Sequence, residues 1–178
     1  MIFACLLVGP HVIGAARAEV VSASEGAFVV RSEAVSPVET KRAWRALGEI
    51  GKWWNPEHTY SGDAGRMSLD RRAGGCFCES WSGQSVEHGR VVLNMEHEGV
   101  RTIRIAGALG PLQELGANGV LTFRISGDGA RSRIAADYRV SGDPSLALNA
   151  LAPVVDAVLE EQVSRLARYA ATGNPAPQ

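Results

Sequence analysis

Three cysteines in 178 residues are too few for a disulfide framework, and none of them belongs to the paired Cys-x-x-Cys spacing of a structural zinc site. Basic residues are never clustered: 18 Lys and Arg are interspersed among 19 Asp and Glu, for a formal net charge of −1. That leaves no phosphate-neutralising footprint, and nucleic acid is not an expected partner. No apolar stretch reaches the roughly 20 residues of a membrane span, since Pro10 and His11 interrupt the one hydrophobic segment. No Gly-rich phosphate loop or dinucleotide fingerprint leads from a strand into a helix. The stretch "SGDGARS" reads as a hairpin turn, and no serine sits in a nucleophile elbow. No cofactor is implied, and neither repeats nor low-complexity segments occur.

What is present fits one globular domain, the usual content of about 100–200 residues. A chain of this length buries roughly two-thirds of its unfolded surface and needs no staples. Residues 1–18, "MIFACLLVGPHVIGAARA", carry an apolar run followed by the small-x-small ending Ala16-Arg17-Ala18. They read as a secretory leader cleaved before Glu19, although no Lys or Arg precedes the apolar run. The expected location is secreted or periplasmic, without stable membrane insertion once the leader is gone. Residues 19–26 and 172–178 are composed like terminal tails, leaving a single domain over 27–171.

Within that domain the periodicities change in a clear order. Residues 27–35, "AFVVRSEAV", read as a strand. Ser36-Pro37-Val38-Glu39 looks like a helix start, with Ser36 as N-cap, and Val38, Ala43, Trp44 and Leu47 form one apolar side. A short second helix follows through Ile50, Trp53 and Trp54 and ends before Pro56. Six strands come next, at 67–72, 76–81, 86–95, 100–108, 119–126 and 131–141, separated by Gly-rich turns. Such short links imply an antiparallel meander. The exception is the apolar loop 107–119, which carries Leu109, Leu112 and Leu115. A helix of about 25 residues closes the chain, with Ala152, Val155, Leu159, Val163, Leu166 and Ala170 on its apolar face. Glu160, Glu161, Arg165 and Arg168 take its other side.

One strand, two short helices, six strands and a long helix form an α+β arrangement in the order of the helix-grip fold. The segments "SPVETKRAWRAL", "KWWNP", "RAGGCFCE" and "LAPVVDAVLEEQVSRLARYA" carry a resemblance to the START-like (SRPBCC) superfamily, in its polyketide cyclase/dehydrase and lipid-transport group. The resemblance covers about residues 28–171. It implies a curved antiparallel sheet wrapped around the C-terminal helix, with a ligand cavity between them. Members bind sterols, lipids, polyketides or hormones, act on such molecules, or bind other proteins, so the fold alone does not choose a function.

Cys76 and Cys78 share one face of a strand. In extended chain their Cα atoms stand about 6.5–7 Å apart, at the edge of disulfide geometry. Three readings are open: two small core residues, a disulfide or redox pair, or two ligands of a metal completed by His88 or His58. The opposite face carries Phe77, Glu79 and Trp81. Either these or the cysteines face the interior, and the aromatics favour the former. A carboxylate in an apolar cavity is a candidate general acid or base. His88 alternates onto the face of Val86 and Arg90, within reach of Glu79 or the cysteines. Two tryptophans, His58 and Tyr60 lie in "KWWNPEHTYSGD", a mixture suited to a site that is half apolar and half wet.

The leading expectation is a protein that binds a small hydrophobic or amphipathic molecule, lipid- or polyketide-like, in an interior cavity between the sheet and the C-terminal helix, without covalent chemistry. Its ligand-contacting candidates are Trp53, Trp54, His58, Tyr60, Phe77, Glu79, Trp81, Leu109, Leu112, Val155 and Leu159. The alternatives are a cyclase/dehydratase-type enzyme with Glu79, His88 and His58 as acid–base groups, and a protein-interaction module that uses the Leu109–Leu115 region.

Overall fold

A computed structural model describes residue 14 and residues 16–177; the expected leader lies largely outside the described residues. Among the described residues, eight strands form one antiparallel sheet in the order β1-β2-β8-β7-β6-β5-β4-β3. The strands are β1 Arg17–Ser24, β2 Ala27–Ser36, β3 Met67–Leu69, β4 Cys76–Trp81, β5 Gln84–His97, β6 Val100–Ala106, β7 Asn118–Gly127 and β8 Ser132–Ser141. Helix α1 (Thr40–Gly48) follows β2, the short α2 (Pro111–Glu114) lies in the loop after β6, and α3 (Leu148–Thr172) closes the chain. This is the helix-grip arrangement: α3 packs across β1, β2 and β8, and the curved sheet folds around it.

Alternation along each strand builds the interior. Phe28 and Val30 from β2, Leu121, Phe123 and Ile125 from β7, and Ile134, Ala136 and Tyr138 from β8 are buried on one face. They meet Leu159, Val163, Leu166 and Ala170 of α3. Proline at position 153 falls in the second turn of α3, and Gly173 ends the helix in the left-handed conformation with its N–H on the Tyr169 carbonyl.

Two expectations are corrected. Residues 19–24, read as tail, belong to β1, which pairs with β2 through a tight turn at Glu25 and Gly26. β1 mixes Arg, Glu, Ser, Ala and two exposed valines without alternating burial, a weakly patterned edge strand whose sequence resembles a tail. The Gly14 N–H also donates to the Val35 carbonyl (3.2 Å), so backbone pairing reaches upstream of the expected cleavage point. Secondly, Ser36 does not cap α1. It ends β2, opposite Ser132, and its hydroxyl donates to the Ala167 carbonyl of α3 at 2.9 Å. The helix starts four residues later, with Glu39 at the N-cap.

Candidate functional site

β4 presents Phe77 and Glu79 inward and Cys76 and Cys78 outward. Glu79 is 0% exposed. Its Oε1 accepts from the Ser61 N–H at 2.5 Å, and its Oε2 accepts from the Tyr60 N–H at 3.0 Å and lies 3.1 Å from His88 Nε2. Burial alone drives the Glu79 carboxyl upward, but the hydrogen bonds from Ser61, Tyr60 and His88 outweigh it and hold the group below the usual carboxylate range. Burial pushes the His88 imidazole below its ordinary value against the opposing pull of Glu79. The pair is thus an ionised carboxylate beside a neutral imidazole. An ionised carboxylate only accepts, so Nε2 carries the proton.

His88 reaches Glu79 through a β-bulge. Phe77 pairs with Gly89 and Cys78 with Glu87, so His88 is an extra residue on β5. The bulge separates Val86 from Arg90, which strict alternation puts on one face. Val86 lies opposite Glu79, whereas Arg90 lies opposite Cys76 on the outside. A metal site joining His88 to the cysteines is therefore ruled out by position. The cysteines are half-exposed and joined in a disulfide, not packed in the core. Their Cα atoms are 5.4 Å apart, closer than in regular extended chain, where the β4–β5 pairing shifts register.

Aromatic rings run inward from this pair. Tyr60, 52% exposed, lies 5.9 Å from the His88 ring; His88 to Phe77 is 5.0 Å and Phe77 to Trp54 5.7 Å. Trp54 to Trp53 is 5.6 Å, and Trp53 to Phe123 of β7 is 6.4 Å. Trp53 and Trp54 are both buried and occupy space between the sheet and α3.

The segment from Trp53 to Ser61 thus spans the gap between α3 and β4. At its α3 end, the Asn55 N–H donates to Gln162 Oε1 (2.9 Å), Asn55 Nδ2 donates to Glu161 Oε1 (2.6 Å), and Arg165 Nε donates to the Trp53 carbonyl (2.8 Å). His58 Nε2 lies 3.1 Å from Glu161 Oε2, so His58 pairs with α3 while Glu79 and His88 pair with each other. Glu161 and Arg165, which the periodicity puts on the polar side of α3, hold this segment in place. Among the described residues, Trp53 Nε1 and Gln162 Nε2 are buried donors without a hydrogen-bond partner.

An open groove of about 490 Å³ lies beside His58, bounded by Pro153, Val154, Ala157, Val158 and Glu161. Val154 is 64% exposed there. Of the other expected contact residues, Leu159 and Leu112 are buried, and Val155, Leu109 and Trp81 are half-buried. The loop bearing Leu109 and Leu112 is fastened by Tyr138, whose hydroxyl accepts from the Leu109 N–H (2.8 Å) and donates to the Gly107 carbonyl (3.1 Å). Tyr60 ties to the same loop through the Gly110 carbonyl at 3.2 Å. The roles of Asn55, Tyr138, Glu161 and Gln162 were not apparent in the sequence; only the polarity of Gln162 beside the apolar stripe of α3 hinted at one of them.

No family model matches the chain, and no curated protein sequence does. Solved structures share its fold. A conserved protein of unknown function from Enterococcus faecalis superposes with a TM-score of 0.56 at 11% identity, over 85% of this chain and 76% of that one. Truncated norcoclaurine synthase from Thalictrum flavum gives 0.53 at 12%, over 83% and 95%. CalU16 from Micromonospora echinospora gives 0.51 at 15%, over 94% and 86%. At such identities the likeness is one of fold, and the class it defines is the helix-grip protein.

Proposed function

We propose that this is a START-like binding protein, exported by its N-terminal leader, that takes up a small hydrophobic or amphipathic molecule without covalent chemistry. The observation that carries this reading is the groove of about 490 Å³ along α3, with an apolar wall of Pro153, Val154, Ala157 and Val158 and the His58–Glu161 pair at its polar end. That size lies within the roughly 300–1,000 Å³ of small-molecule sites, and an apolar wall with few polar groups is their usual lining.

The test is titration with a fluorescent fatty acid. Val154→Glu places a charge on the groove wall at an exposed position, so the fold is retained and binding weakens by tenfold or more. Equal affinity in the variant refutes the assignment.

The second reading, an acid–base enzyme, rests on the buried Glu79–His88 contact, and one fold neighbour is a synthase by name. Against it, both Glu79 oxygens are occupied, and a carboxyl held low is a weak base. Glu79 acts here as a latch for the Trp53–Ser61 segment.

A further inference from the structure

The outer face of β4 carries a constellation that the binding site does not use. The Cys76–Cys78 bridge closes a loop of only three residues, and cross-links over short loops remove little entropy from the unfolded chain. β4 is already hydrogen-bonded to β3 on one side and β5 on the other, so the bridge adds little as a staple. Its surroundings are charged and open. Cys76 lies directly opposite Arg90, and Cys78 opposite Glu87. The Arg90 guanidinium is fixed between the Gly74 carbonyl (3.1 Å) and the Glu87 carboxylate. A Glu87 oxygen and the two sulfurs all lie within 4.8 Å of one another. Cys76 and Arg90 also line an open groove of about 820 Å³ that extends to Lys52, Met67 and Asp70, so a thiolate released at Cys76 faces open space beside the cation.

We propose that Cys76–Cys78 is a thiol–disulfide exchange site that oxidises low-molecular-weight thiols, with Cys76 as the leaving sulfur. An incoming thiolate attacks Cys78 Sγ. The mixed disulfide forms as the Cys76–Cys78 bond breaks, and the electron pair of that bond departs on Cys76. Glu87, within 4.8 Å of both sulfurs, opposes a thiolate at either, so the positive charge of Arg90, opposite Cys76, is what favours Cys76 as the thiolate. A second thiolate then attacks the small-molecule sulfur of the mixed disulfide and releases Cys78. Two thiols are oxidised to one disulfide, the bridge is reduced to two cysteines, and these take up the two protons the thiols gave up.

The experiment exposes the folded chain to reduced glutathione, quenches by alkylation and counts adducts by mass. The bridge is expected to open without denaturant. Arg90→Gln should slow opening and Glu87→Gln accelerate it, each by about fivefold, the effect of one unit charge at ~4 Å through water. Both side chains are about half exposed, so neither change threatens the fold. As a second measurement, iodoacetamide at neutral pH should alkylate Cys76 in Cys78→Ser faster than Cys78 in Cys76→Ser. A bridge that opens only on unfolding, variants that match the wild-type rate, or the reverse order of alkylation each overturn the proposal.

Discussion

His88 Nε2 sits 3.1 Å from Glu79 Oε2, and the contact exists because β5 carries one residue more than β4 between Glu87 and Gly89. Counted back from Arg90 in strict alternation, the imidazole belongs on the outer face. The bulge turns it inward without breaking the pairing on either side. It brings a donor to Glu79 Oε2 in addition to the Tyr60 N–H, and thereby helps keep a fully buried carboxylate ionised. The same carboxylate accepts from two consecutive backbone N–H groups of the segment that covers the interior, so one buried charge joins β4, β5 and that segment.

The pair makes stability depend on pH in one direction. Glu79 titrates below its unfolded value of about 4.3, so its contribution is complete above that pH and is lost as pH falls through the lower folded value. His88 in the folded state titrates below its unfolded value of about 6.5, so the unfolded chain binds a proton first and stability begins to fall below that pH. Thermal melts from pH 8 to 4 should show the melting temperature declining from about pH 6.5 downward. His88→Asn should flatten the upper part of that decline and leave the lower part. A variant curve parallel to wild type throughout would remove His88 from the account.

The sequence shows the order of elements because turn signals are local: Gly74-Gly75, Gly83, Gly99 and Asp128-Gly129 each close a hairpin through the conformations their own residues permit. It also shows that Glu79 shares a face with Phe77, since alternation within a six-residue strand needs no tertiary information. His88 was legible as a possible partner of Glu79, but the bulge that delivers it was not, because an inserted residue depends on the partner strand. β1 was missed for a related reason: a mostly exposed edge strand of Arg, Ala, Glu, Val and Ser without alternating burial is specified by the free edge of β2 and hardly by its own pattern. The pairing of Asn55 with Glu161 and Gln162 joins positions more than 100 residues apart, and no local rule brings them together.

Gly107 marks a close approach of β5, β6 and β7. A Cβ at this position would collide with the His88 carbonyl and come within 2.6 Å of the Gly89 Cα, both backbone atoms that cannot rotate away. Its N–H meanwhile donates to the Gly119 carbonyl at 2.8 Å. Gly107→Ala should cost about 2 kcal/mol in urea unfolding, at the middle of the range for overpacked sites. Because the collision is with His88, the variant should also lose part of the pH dependence described above. Normal stability would mean that the strands can separate there without penalty.

Gln162 is a buried polar residue on α3 whose carbonyl oxygen accepts the Asn55 N–H at 2.9 Å. Gln162→Leu retains the volume but leaves that N–H without an acceptor, a loss of about 1–2 kcal/mol. The loss should be local. Hydrogen exchange should accelerate for the amides of residues 53–61 while those of β2 and β8 remain protected. Uniform acceleration across the sheet would show that this segment does not open by itself.

Trp53 fills the region between the sheet and α3, packed on Trp54 and Phe123, with its indole N–H unpaired. Trp53→Ala removes a fully buried ring and should cost about 3–5 kcal/mol. Trp53→Phe should cost less than an ordinary loss of this size, because it also deletes a buried donor that makes no hydrogen bond. The space opened by the alanine variant adjoins the segment that contacts the His58–Glu161 groove. If groove and interior form one site, a fluorescent fatty acid should bind the folded Trp53→Ala protein more tightly than wild type, and adding Val154→Glu should abolish the gain. Unchanged affinity in the folded alanine variant would confine the ligand to the surface of α3.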